Sequence, residues 1–113
     1  MSLTAAIVTA QFQAARSVLS GASVGVRHEG REYTGLRGST EFSNKPGAMG
    51  AVEGADGAVR LCVSEMQRPY PDAGDAIEVQ EQIGGEWQER RVILARFDQT
   101  GATVRIDYGE RHG

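Results

Sequence analysis

A chain of 113 residues with 40% apolar and 24% charged residues fits one globular domain, whose core buries roughly 65% of the unfolded surface and leaves little stability margin. The net charge of −3 argues against sequence-blind binding of nucleic acid, which needs clustered surplus cations. A single cysteine, Cys62, excludes an intrachain disulfide, and with two histidines it cannot complete an ordinary zinc site.

Ser2–Ser20 is expected to be a helix. Ser2 or Thr4 can cap its first turn, and Gly21 can end it. Val8, Phe12, Ala15 and Leu19 recur at helical spacing, and Ile7 and Val18 widen the stripe. Arg16 is the only charged side chain before Arg27, so this helix must pack on the rest of the chain or on another subunit. With no basic run and with Thr9, Gln11 and Gln13 breaking the apolar series, it resembles neither a secretion leader nor a membrane span.

Ser23–His28 alternates, Glu29-Gly30-Arg31 turns, and Tyr33–Leu36 returns as the second strand of a hairpin. Periodicity then stops. Gly38 to Gly57 holds five glycines and one proline, and is expected to be a long flexible loop that is functional or disordered. From Ala58 the alternation resumes, with Val59, Leu61 and Val63 on one face. Pro69 and Pro71 hold the next connection extended, and Ala73-Gly74-Asp75 turns into a strand in which Ile77 and Val79 face inward. Gly84-Gly85 marks another hairpin. Trp87–Phe97 is the longest strand expected, with Val92-Ile93-Leu94 covered on both faces. After the turn at Asp98–Gly101, Val104, Ile106 and Tyr108 alternate against Thr103, Arg105 and Asp107. The fold class is therefore mainly β: a single domain over 1–113, with a helix at 1–21, a small barrel or sandwich of six or seven strands at 22–113, and the loop at 38–57.

Little here suggests catalysis, and no enzyme, cofactor or metal site is expected. Ser39 lacks a nucleophile-elbow context. Cys62 falls in mid-strand, where a thiol is usually a packing residue. His28 beside Glu29 ends a strand. Asp72 and Asp75 share a turn without the further oxygen ligands a calcium loop requires. The glycine-rich loop has neither phosphate-binding spacing nor a following helix. Arg90 and Arg96 are expected on one face of their strand and Arg91 on the other, with Glu89 and Asp107 pairing across strands. Phe42, Lys45 and Met49 in the loop, and Phe12 and Arg16 on the helix, are the candidate protein-interface residues.

The order of elements resembles the small head–tail joining proteins of tailed bacteriophages, of the lambda type. The resemblance rests on the helix Ser2–Ser20, the hairpin Ser23–Leu36, the loop opening Arg37-Gly38-Ser39-Thr40, the strand Val59–Val63, the run from Arg68-Pro69 through Gly74-Asp75-Ala76-Ile77-Glu78-Val79, and the closing hairpin to Tyr108-Gly109. It implies a structural protein of a phage or prophage, made in the bacterial cytoplasm and built into the virion. Such a protein joins a portal-side connector to tail proteins. It is a monomer when free, enters a ring on assembly and has no cofactor; from charge and sequence pattern, neither nucleic-acid nor membrane contact is expected. The competing expectation is a bacterial SH3- or OB-like barrel that binds a peptide or nucleic acid.

Overall fold

The computed structural model describes residues 3–18, 20–38 and 55–110. Helix α1 (Leu3–Val18) precedes six strands: β1 (Ser23–His28), β2 (Arg31–Gly38), β3 (Gly57–Cys62), β4 (Ala76–Gln80), β5 (Gln88–Phe97) and β6 (Thr103–Glu110). The strands close into an antiparallel barrel in the order β1-β2-β3-β6-β5-β4. Closure gives each strand two neighbours, so the described sheet has no free edge. The loop expected over 38–57 falls largely outside the described residues. Its two ends are on the barrel, where Gly38 pairs with Ala58.

The turns follow from their residues. Glu29 and Gly30, both at positive φ, form the two-residue turn that suits the twist of β1 and β2. Between β5 and β6 one carboxylate organises the bend. Asp98 Oδ1 accepts from the backbone N–H groups of Thr100 and Ala102 and from the Thr100 hydroxyl, and Oδ2 accepts from the Thr103 hydroxyl. Burial pushes the Asp98 carboxyl up, but these hydrogen bonds outweigh it and hold the group below the usual aspartate range.

Strand alternation fills the barrel. Val24, Val26, Val59, Leu61, Val79, Val92, Val104 and Ile106 are fully buried in one core, each contributing roughly 1.5–3 kcal/mol by removal from water. At Gly35 a Cβ atom would run into the Arg60 carbonyl and the Leu61 side chain, so only glycine lets β2 approach β3 this closely.

Two expectations need correction. First, among the described side chains of the helix (Leu3–Val18) the buried ones are Ala5, Thr9 and Phe12, while Ile7 is exposed. The stripe is rotated because the helix packs by its small side and lets Leu3 and Ile7 face outward. Second, β5 carries a bulge at Ile93: Val92 opposes Tyr108, whereas Leu94 opposes Asp107. One extra residue reverses the side-chain parity, so Arg90 and Arg96, expected on one face, project to opposite faces. Of the run Val92-Ile93-Leu94, only Val92 is fully buried. The alternation of β6 is as expected, and Thr103 and Asp107 on its outward face are buried as deeply as its inward face.

Candidate interaction surfaces

His28 and Cys62 are both buried. His28 continues the inward face of Val24 and Val26, and its ring is buried. Nε2 lies 3.1 Å from Asp75 Oδ2, which also accepts from the Asp72 N–H, and Nδ1 has no partner. The pair ties the end of β1 to the turn before β4. Cys62 faces outward on β3, is buried, and its thiol lies 3.2 Å from the Ser64 hydroxyl. Among the described residues no group of His, Cys, Asp and Glu is placed to hold a metal ion, and no helix is long and apolar enough to cross a membrane.

The surface is more informative than the interior. Directly opposed residues in antiparallel strands share a face, so the register assigns outward-facing rows. One row crosses β3, β6 and β5 as Arg60, Arg105 and Arg96, since Arg60 pairs with Arg105 and Arg105 with Arg96. These guanidiniums line a depression of about 290 Å³ together with Phe97, Asp98 and Thr103. Asp107 lies one row away, 2% exposed, with Oδ1 3.3 Å from Arg105 Nε and Oδ2 3.6 Å from Arg96 Nη2. One buried carboxylate therefore stands between Arg96 and Arg105, with Asp98 lining the same depression, and Asp107 Oδ2 has no hydrogen-bond donor. Arg60 is exposed.

A second row crosses β2, β1, β4 and β5 as Glu32, Arg27, Glu78 and Glu89. Arg27 donates to Glu32 at 2.7 Å and to Glu78 at 3.4 Å, and its guanidinium stacks 4.1 Å from the Trp87 ring centre. Glu78 and Glu89 are direct cross-strand partners of like charge. Glu29 joins Arg27, Glu78 and Glu89 around a depression of about 260 Å³. In the closed strand order the β3–β6 seam and the β1–β4 seam are three strands apart, on opposite sides of the barrel.

The helix candidates divide. Phe12 is buried within the chain, 6% exposed, with the Arg16 guanidinium 5.6 Å from its ring centre. Arg16 donates to both Glu65 oxygens, at 2.5 and 2.6 Å, and to the Thr34 carbonyl at 2.9 Å, while Gln13 donates to Glu65 as well. The Arg16 hydrogen bond holds the Glu65 carboxyl below the usual glutamate range. These contacts pin α1 to the barrel wall, and among the described residues they leave Leu3 and Ile7 as its large exposed apolar side chains. Phe42, Lys45 and Met49 lie outside the described residues.

Sequence reasoning missed Arg60 as a member of the basic group and missed the acidic row altogether. The signal was present: Arg60 stands between Val59 and Leu61, and Arg105 between Val104 and Ile106, so each had to face outward. The pairing of β3 with β6 that sets them side by side skips two strands in sequence and leaves no local trace. Comparison with known proteins finds no family model, no curated protein and no solved structure that matches this chain.

Proposed function

We propose that this chain is a head–tail joining protein of a tailed phage or prophage, a structural component linking a portal-side connector to the tail. The observation that carries this reading is the order of elements. A helix, a hairpin, a long connection, a barrel strand and a closing hairpin follow one another as the resemblance requires. A closed barrel also suits a joining piece. Among the described residues the sheet has no free edge, so contacts with partners fall to side-chain faces rather than to strand addition.

Deleting the gene from the phage or prophage that carries it tests the reading. After induction, electron microscopy is expected to show filled heads and free tails that do not join. Adding the purified protein to that lysate is expected to restore infectious particles. Normal numbers of complete particles from the deletion strain would overturn the assignment.

A further inference from the structure

We propose that α1 is a releasable strap: it lifts from the barrel as one unit while the six strands stay closed, and its lifting uncovers Cys62 on the outer face of β3. Three observations carry this. First, Cys62 has the direction of a surface residue and the burial of a core one. It follows Leu61, which fills the core, so its side chain leaves the barrel on the outer side, yet it is 1% exposed. Helix α1 packs against β3, and the Arg16 guanidinium lies within electrostatic reach of the Cys62 sulfur. The helix therefore contributes the cover. Second, the strands do not need the helix. Their ladder closes on itself, and among the described residues the core cluster contains no residue of α1. Third, the helix is held lightly. Phe12 is its one large buried side chain among those described, and Leu3 and Ile7 stay exposed. Three of its hydrogen bonds converge on a single carboxylate: Arg16 donates to both oxygens of Glu65, and Gln13 donates to the same group.

A segment with few buried contacts beside a self-sufficient core opens at lower free energy than the whole molecule. A helix of 16 residues is marginal alone in water, so its place depends on these contacts. The competing possibility is that Cys62 is reached only when the barrel itself unfolds. The topology disfavours it. Opening the barrel at β3 breaks its ladders with both β2 and β6, whereas lifting α1 leaves them intact.

The inference stands apart from the joining role, which the gene deletion tests separately. Its test is alkylation of the full chain by iodoacetamide, a neutral reagent, read by mass spectrometry; Cys62 is the only thiol. Wild-type protein is expected to react more slowly than the chain in concentrated urea, through an opening whose urea dependence is smaller than that of the global melt. Glu65→Gln and Arg16→Gln each cut the anchor, and each is expected to speed alkylation about two- to fivefold. One variant removes a negative charge from the anchor and the other a positive charge, so they shift thiolate formation in opposite senses, and a shared acceleration reports access. Phe12→Ala is expected to speed alkylation about tenfold or more. In all three variants, amide exchange in β5 and β6 is expected to stay as slow as in wild type. Wild-type protein alkylated as fast as the unfolded chain would overturn the inference, because nothing would then cover the thiol. So would alkylation that follows the global melt, either anchor variant reacting no faster than wild type, or a Phe12→Ala variant whose strands lose protection together with the helix.

Discussion

The two walls of the barrel are built differently. On the β3–β6 wall the outward-facing Ala58, Cys62, Thr103 and Asp107 are nearly inaccessible, while Arg60 and Arg105 between them keep part of that face open. On the β1–β4 wall the outward-facing Ala76 is exposed and Glu78 and Arg27 are half-exposed. A strand buried on one side needs apolar residues at alternate positions and tolerates almost anything between them. A strand buried on both sides must satisfy every polar group on its second face from within the protein. On the covered part of the β3–β6 wall the Asp98 turn takes the Thr103 hydroxyl and two arginines flank Asp107, whose Oδ2 is left without a hydrogen-bond donor.

Substitutions sharpen this contrast. The largest effect is expected from Ile106→Asp, which places a carboxylate in the shared core. It is expected to cost about 4 kcal/mol or more and to leave no cooperative melting transition. An unchanged melting temperature would mean that the core lies elsewhere. Next comes Asp107→Ala on the covered wall, expected to cost about 2 kcal/mol in a urea melt, because Arg96 and Arg105 lose their shared carboxylate. The matching change on the open wall, Glu78→Ala, is expected to cost no more than about 0.5 kcal/mol. Equal costs for the pair would abolish the distinction between the walls.

A smaller effect depends on pH. The Glu65 carboxyl titrates below its unfolded value because Arg16 donates to it. A group with a depressed folded pKa contributes its full stabilisation above the unfolded value and loses it as the pH falls through the folded one. Docking of α1 is therefore expected to loosen below about pH 4, read as faster hydrogen exchange in α1 while the strands stay protected. Glu65→Gln is expected to show the loosened state at neutral pH, at a cost of about 0.5–1 kcal/mol. The smallest expected change is a gain: Arg60→Gln removes a like charge opposite Arg105 and is expected to raise stability by a few tenths of a kcal/mol.

Much of the barrel was legible in the chain. Ile77 and Val79, and Val104, Ile106 and Tyr108, face the core as their alternation requires, and the hairpin of β5 with β6 forms about the Asp98–Gly101 turn. Local patterns carry such information because each depends on neighbours in sequence. The surface rows were not legible. They depend on β3 meeting β6, on β4 closing against β1, and on the parity change at Ile93, and each of these is fixed by global packing. The rotation of α1 was hidden for a similar reason. Thr9 is a poor candidate for burial by polarity, yet a small residue lets the helix lie close to the wall, and Ile7 is left outside.

The bulge at Ile93 has a consequence for how such a chain tolerates change in length. Within a regular strand, losing one residue turns everything beyond it inside out, exchanging core for surface. At Ile93 the opposite holds. The strand there already carries one residue more than its partner requires, with Val92 facing inward before it and Ala95 after it. A deletion at this point restores plain alternation and leaves the remaining side chains of β5 on the faces they now occupy. The longest strand of the barrel thus contains one position at which a codon can be lost without remaking the core.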